Sequence, residues 1–395
     1  MTSLKSTPAE LPEAIPVTTG DRSSSGRLLG IDGLRFGAAA AVVLYHFTAG
    51  STAASYWGAD PAHVFPVLNE ITRYGWLAVE LFFMISGFVI LLSADGRGVA
   101  AFVASRVGRL FPAYWACIAL TVGLQQVWSG GRQTNLTETL VNLTMVQDLF
   151  AVTGVQVVFW TLLVELKFYL LVVLLLAFGP PTRNRVLALA TIWPLAGWAA
   201  QESGTPWLAD LLVANYAPYF AVGMLLFLVY RDGWELVSGV LLAGGVALCV
   251  KRVLEAADRA ADMQGVSVSP ALAVTVMLTS MIAVWATTIP GRGAPRRRLA
   301  AVLGTGGALT YPIYLVHTQF GYAVIDTLAP ETTRTVALLA AGALSLVLAV
   351  GIHYGVERPA SARLRRAVRA GLLRGGEVVR SYVSKPADAP AVRTS

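Results

Sequence analysis

Long runs of apolar residues follow one another along most of the chain, separated by short polar segments. Ten of these runs approach the length of about 20 residues that a helix needs to cross a bilayer. The pattern predicts an all-α fold, a polytopic membrane helical bundle of about ten transmembrane helices. The runs lie at about 29–49, 75–93, 110–128, 158–178, 184–200, 207–230, 234–250, 269–289, 305–328 and 334–356.

The composition agrees with this pattern and leaves little of the chain for anything else. Hydrophobic residues make up 55% of the 395 residues and charged residues only 13%, whereas soluble domains carry about 25% charged residues. A second large soluble domain therefore has no room. Residues 1–27 are rich in Ser, Thr, Pro and charge and have no apolar core, which predicts a disordered cytoplasmic tail and not a signal peptide.

Several kinds of chemistry lack their usual sequence signals. Cys117 and Cys249 both lie inside apolar runs, which argues against disulfides and against a thiolate metal site. The chain contains no P-loop and no His-Glu-x-x-His, Cys-x-x-Cys or Gly-x-Ser-x-Gly sequence, so we expect no metal and no bound cofactor. An internal repeat of the kind that marks many transporters is also missing.

The basic residues are distributed unevenly between the two sides of the membrane. If the ten spans alternate in direction, 23 of the 30 lysines and arginines fall on one side. By the positive-inside rule that side is the cytoplasm and holds both termini, as in a multi-pass protein of the plasma membrane. The net charge of +7 then reports topology and not a nucleic-acid partner. Residues 359–395 are predicted to form a basic cytoplasmic tail that lies on the anionic inner leaflet.

The first span carries an arginine and a histidine on one helix face. His46 follows Arg35 by three helical turns plus about 20°, so the two side chains share a face and lie about 16 Å apart along the axis. His46 then lies near the middle depth of the bilayer. An ionisable group at that depth indicates a functional site. The alternative is a structural histidine that bonds to a neighbouring span.

Two carboxylates also fall within predicted spans, where a charge is costly. Glu80 either pairs with a cation that only stabilises helix packing, or it orients His46 or an acceptor hydroxyl. Glu165 is expected to face the bundle interior. Lys167 stands two residues further on and points to a different helix face, so it is not the natural partner of Glu165.

Arg106 and Arg109 stand three residues apart on the predicted cytoplasmic side, just before Pro112, which is expected to start the third span. They either flank that span, as the positive-inside rule requires, or clamp phosphate groups with paired guanidinium groups. In the ninth span, Pro312 is expected to kink the helix. His317 then either serves the site or satisfies the freed backbone.

Together these segments resemble the integral-membrane acyltransferase family 3, which includes O-antigen and exopolysaccharide O-acetylases and macrolide O-acyltransferases. The resemblance runs in order from about residue 29 to 366. Its motifs are Arg35 with His46, Ile85–Phe88, Arg106-x-x-Arg109 with the following Leu-Phe-Pro-Ala-Tyr-Trp, Trp160–Tyr169, Tyr311–His317 and Glu357–Pro359. We therefore assign residues 28–358 to one transmembrane acyltransferase domain.

The resemblance implies transfer of an acyl group from acyl-coenzyme A, the co-substrate, to a hydroxyl of a sugar or glycan. Acetyl is the acyl group that we expect. His46 would be the general base, because a neutral imidazole can remove the hydroxyl proton. Two alternatives remain: a secondary metabolite such as a macrolide as the acceptor, and a transporter of acyl donors or lipid-linked sugars. The predicted residues are His46, Glu80 and Glu165 for catalysis; Arg35, Arg106 and Arg109 for the acyl donor; and Ser86, Tyr169, Tyr311, Tyr314 and His317 as further lining of the site.

At the end of the last span, Glu357 and Arg358 are adjacent in the sequence. An interfacial structural pair between these two side chains is the simpler interpretation, and neither residue is predicted to take part in catalysis.

Overall fold

The computed structural model describes residues 28–289 and 297–383, and within these ranges it contains helices and no β-strand. The all-α prediction is therefore confirmed. The predicted tail at residues 1–27 lies outside the described residues, as does the end of the C-terminal tail after residue 383. The long helices are α1 (Leu29–Thr48), α2 (Leu77–Ala94), α3 (Val99–Gln125), α4 (Trp160–Ala177), α5 (Arg183–Glu202), α6 (Ala217–Asp232), α7 (Leu236–Gln264), α8 (Pro270–Thr288), α9 (Arg297–Leu328), α10 (Arg334–Ile352) and α11 (Arg358–Val383).

Shorter helical segments connect the long helices. On the side where α1 ends, they are Ser51–Ala53, Ala54–Trp57, Pro61–Val64, Pro66–Thr72, Leu136–Asn142, Gln147–Phe150, Val157–Phe159 and Pro206–Leu211. A π-helical turn, His353–Glu357, joins α10 to α11. Such turns occur often at functional sites.

Each of the ten predicted spans corresponds to one of the helices α1 to α10. Among the described residues, seven helical stretches are long and apolar enough to cross a membrane. The helices α1, α5 and α6 are not among them, so the count of ten and the orientation of the termini stay predictions. The seven stretches are Pro66–Ala94, Val99–Gln125, Val157–Ala177, Leu236–Gln264, Pro270–Thr288, Arg297–Leu328 and Arg334–Gly376.

Two predicted boundaries are wrong. The third span does not start at Pro112, because α3 begins at Val99 and carries the proline inside it; membrane helices tolerate this where neighbouring groups satisfy the freed backbone. The run 207–230 is also not one helix. It breaks after Leu211 and resumes at Ala217, and Val213 has a positive φ of 55° within the turn.

The helix α9 lies at the centre of the bundle and packs against α1, α3 and α10. Every residue of α9 from Leu309 to Tyr322 is buried. This stretch contains the predicted site residues of the ninth span, so they face protein and not lipid.

The helices α2 and α6 pack so closely that there is no room for a side chain at Gly87 or at Gly223. A Cβ atom added to Gly87 would lie 2.2 Å from the carbonyl oxygen of Phe220, and one added to Gly223 would lie 2.0 Å from that of Met84. Small residues at a helix crossing let the two backbones approach, as is common in membrane proteins. This contact fixes α2, which carries Ser86, against α6.

The C-terminal segment is more structured than the predicted tail. After the π-helical turn the chain continues as α11, which packs along α3. The predicted pair of Glu357 with Arg358 is wrong. Glu357 instead contacts Arg109 of α3 and receives a hydrogen bond from Nδ1 of His353 at 2.9 Å, because the π-helical turn directs its side chain toward α3 and not toward its neighbour in the chain.

We expect Gly223→Ala to destabilise the protein by about 1–3 kcal/mol, since the added methyl group meets backbone atoms that cannot move aside. Gly244→Ala in α7 is the matched control, because no atom lies within 4 Å of its added Cβ, and alanine normally favours a helix. Thermal unfolding of both variants in detergent measures the difference. Equal melting temperatures would show that the α2–α6 contact is not tight.

Candidate functional site

A row of three cavities leads from one end of the bundle toward its interior. The outer cavity has a volume of about 440 Å³, and the middle and inner cavities have about 70 Å³ each. Arg35 of α1 lines all three. The outer and middle cavities also share Val89, Arg106 and Arg109, and the middle and inner cavities share Ile85, Ser86, Glu165 and Tyr311.

The outer cavity is strongly basic. Its lining contains five arginines and two acidic residues, Asp32 and Glu357. Glu357 contacts Arg109 and His353. The Nε atom of Arg106 and the Oγ atom of Ser361 are buried and have no hydrogen-bond partner among the described residues. Guanidinium groups facing one cavity suit phosphoryl oxygens. The arginines that line the cavity are Arg35, Arg106, Arg109, Arg358 and Arg365.

The sequence prediction missed the contribution of the C-terminal helix to this cavity. Arg358, Ser361 and Arg365 of α11 line it together with His353, although Arg365 was assigned to the inner leaflet. Their spacing of three and four residues places them on one helix face, and this was the available signal. The face could not be oriented without knowing that α11 packs along α3.

A carboxylate stands where the middle and inner cavities meet. Glu165 of α4 accepts hydrogen bonds from the hydroxyls of Tyr169 at 2.6 Å and Ser86 at 3.0 Å, so it faces the bundle interior. Lys167 lies on a different face and pairs with Asp210 at 2.9 Å. The two hydroxyl donors hold the Glu165 carboxylate in one position beside Arg35.

Two tyrosines of α9 line the same walls. The hydroxyl of Tyr311 donates to the carbonyl oxygen of Leu110 at 3.2 Å, and the hydroxyl of Tyr314 lies 2.8 Å from Oγ1 of Thr161. Tyr314 and Thr161 line the inner cavity but not the middle one. They therefore mark the inner end of the row, where Arg35 is the one arginine among the lining residues that the structure describes.

His46 and His317 are neighbours just beyond the inner cavity. Their ring centroids lie 5.1 Å apart, and the ring of His317 lies 5.9 Å from that of Tyr314. Neither histidine is among the lining residues of the three cavities. The structure thus brings the predicted base next to the row of cavities, with the side chains of His317 and Tyr314 connecting them.

The hydrogen bonds of His317 define which of its ring nitrogens carries the proton. Its Nδ1 atom lies 2.9 Å from the carbonyl oxygen of Tyr314 and 3.2 Å from that of Ile313, so Nδ1 is the donor. The Nε2 atom then carries a lone pair, and it is buried without a partner among the described residues.

The sequence prediction missed Tyr322, whose hydroxyl lies 3.4 Å from Nδ1 of His46.

Glu80 is not brought into this arrangement. It lies on α2 and is buried, but none of its hydrogen bonds among the described residues reaches His46, and it does not line the row of cavities. Its Oε2 atom has no partner within the described chain. Its neighbours Val79, Phe82 and Phe83 line the inner cavity, so Glu80 occupies the adjacent part of the helix surface.

Comparison with known proteins agrees with this arrangement at the level of the family. The family model of acyltransferase family 3, described as an acyltransferase domain, matches residues 28–354. The chain belongs to this family of membrane acyltransferases. No curated protein and no solved structure gave a significant match to the chain.

We expect His317→Asn to fold normally but to transfer acyl groups about 10- to 100-fold more slowly. The ring of His317 packs against His46, the predicted base, and a small displacement of a reacting group has effects of this size. The asparagine amide can still donate to the carbonyl oxygen of Tyr314, whereas the lone pair at the Nε2 position is lost. Steady-state rates and thermal unfolding of the purified variant measure both properties. Unchanged kcat would show that His317 only satisfies the backbone near Pro312.

Proposed function

We propose that the protein is an O-acyltransferase that moves an acyl group from acyl-coenzyme A to a hydroxyl of a sugar or glycan acceptor, with acetyl as the expected acyl group. Membership of the family supports acyl transfer. The observation that supports coenzyme A as the donor is the group of five arginines around the outer cavity, of which only Arg35 also lines the inner cavity with Tyr314.

The shape and charge of the cavities fit the two ends of this donor. Coenzyme A carries its phosphate groups at one end and the thioester at the end of a slender arm. The phosphates would occupy the outer cavity of about 440 Å³, where Arg106 and Ser361 have unpartnered polar atoms. The arm would pass Arg35 into the narrow middle cavity of about 70 Å³, so that the thioester approaches Ser86 and Glu165.

His46 is the proposed general base. Its imidazole accepts the proton of the acceptor hydroxyl while the oxygen attacks the thioester carbonyl carbon. The carbon–sulfur bond then breaks, and the imidazolium returns the proton to the leaving sulfur, so that coenzyme A leaves as a thiol. Tyr322 and His317 contact His46 and hold its ring. Because His46 does not line the cavities, the side chain of Tyr314 or His317 must shift when the donor binds. The chain has no serine elbow, so direct transfer is preferred over a covalent intermediate.

His46→Ala is expected to lower kcat by about 10²- to 10⁴-fold, the usual contribution of a general base, while the KM for acetyl-coenzyme A stays within twofold. Acceptor-dependent release of the free coenzyme A thiol from purified protein measures this rate, and a transporter would release none. His63→Ala, in the segment Pro61–Val64, is the matched control. Wild-type kcat in a well-folded His46→Ala protein would rule out the base assignment.

Arg106→Ala is expected to raise the KM for acetyl-coenzyme A about 10- to 100-fold, as expected for loss of a charge-assisted hydrogen bond to phosphate. The effect should shrink when a short acyl thioester without the nucleotide replaces the donor. Arg97→Ala is the control, because Arg97 is exposed in the connection between α2 and α3 and does not line the outer cavity. An equal effect of both variants would make Arg106 a general surface charge and not a phosphate ligand.

A further inference from the structure

A further cavity, separate from the row of three, lies at the other end of the helices from the outer cavity. The outer cavity is lined by the beginnings of α1 and α3, whereas this far-side cavity is lined by the end of α5, the turn before α6 and the middle of α7. Its volume is about 680 Å³, within the range of about 300–1,000 Å³ that is common for small-molecule sites. None of the roles assigned above uses it.

The charges around the far-side cavity cancel, in contrast to the arginine excess of the outer cavity. Three cations and three anions line it. Lys167 pairs with Asp210 at 2.9 Å, and Glu255 pairs with both Lys251 and Arg252 at 2.8 Å. A cavity without excess charge does not favour an anion such as a phosphate, and its polar lining does not suit an apolar ligand.

The far-side cavity also retains unused hydrogen-bonding atoms of both kinds. Arg252 is 6% exposed, and its Nε donor has no partner among the described residues. Gln201 donates from Nε2 to Asn215 at 2.7 Å, which leaves its Oε1 acceptor buried and unpartnered. A hydroxyl group both donates and accepts hydrogen bonds. A ligand with several hydroxyls therefore matches this mixture of donors and acceptors better than a ligand with one kind of group.

One layer of side chains separates the far-side cavity from the inner cavity of the candidate active site. Tyr216 lines the far-side cavity, Phe83 lines the inner cavity, and their ring centroids lie 5.0 Å apart. On α4, Val164 faces the far side, whereas Glu165 faces the inner and middle cavities. A molecule bound at the far side is thus positioned directly behind the wall of the proposed acyl-transfer site.

From these observations we propose that the far-side cavity binds a neutral, polyhydroxylated acceptor, such as one or two sugar units. This inference rests on the proposed function, because an acceptor requires an acyl donor. It adds a binding site for the acceptor of the proposed function, on the side opposite the arginines.

A thiol-blocking experiment on the full-length protein in lipid nanodiscs tests this site. Asn215→Cys places a thiol at an exposed position of the cavity, whereas both native cysteines are buried. A bulky methanethiosulfonate reagent then fills the cavity. Thr137→Cys is the matched control, because Thr137 is exposed on the same side of the bundle but does not line the cavity.

The probes are methyl β-D-glucopyranoside, N-acetylglucosamine and methyl α-L-rhamnopyranoside, whose binding is followed by saturation-transfer NMR. At least one sugar is expected to bind, and modification of Asn215→Cys should weaken its binding at least tenfold, with no change for modified Thr137→Cys. Gln201→Leu, which removes the unpartnered acceptor, provides a second variant and should weaken the same sugar. Binding of acetyl-coenzyme A should stay within twofold of the wild-type value in every protein.

The proposal is overturned if no sugar binds the wild-type protein, if sugar binding survives the blocking of the cavity, or if a macrolide probe binds in place of the sugar. Loss of acetyl-coenzyme A binding after blocking would also overturn it, because the cavity would then belong to the donor. If the wild-type protein binds sugar but not acetyl-coenzyme A, the proposed function fails and the far-side site remains. The two failures are therefore distinguishable.

Discussion

Ionisable side chains inside an apolar helical bundle persist where partners or a polar cavity surround them, and this constraint organises the structure. Arg35 lines all three cavities of the row and stands beside Glu165, whose carboxylate is held by the hydroxyls of Ser86 and Tyr169. Glu357 receives Arg109 and His353 at the outer end. The polar groups of six helices, α1, α2, α3, α4, α9 and α11, therefore meet around one row of cavities.

Close helix packing makes this arrangement possible. The glycine contact between α2 and α6 sets the position of Ser86, and the fully buried stretch of α9 brings Tyr311, Tyr314 and His317 to the same region. His46 reaches its place because α1 packs against α9. The candidate base, His46, and one donor-side arginine, Arg35, thus lie on the same helix, α1, whereas the other arginines of the outer cavity lie on α3 and α11.

The sequence predicted the helices well, because each depends on a long apolar run and little else. Resemblance to a family assigned Arg35, Arg106 and Arg109 to the acyl donor and Glu165 to catalysis, and these roles stay predictions; the structure places all four side chains around the middle cavity. The turn at residues 212–216 was missed, because apolar residues continue through it. A tertiary contact accompanies this break: Nε1 of Trp193 donates to the carbonyl oxygen of Leu212 at 2.6 Å. The partner of Glu357 was missed for a similar reason, since Arg109 lies far away in the chain and close in space.

The central proposal is that the acyl donor binds at the arginine-lined outer cavity and reaches it from that side of the membrane. Proteoliposomes that hold the protein in one known orientation test this claim most directly, with acetyl-coenzyme A supplied to one side at a time and a sugar acceptor present on both sides. The account predicts release of the free thiol only when the donor is on the side of the outer cavity. Equal release from both sides, or release only from the side of the far-side cavity, would contradict it.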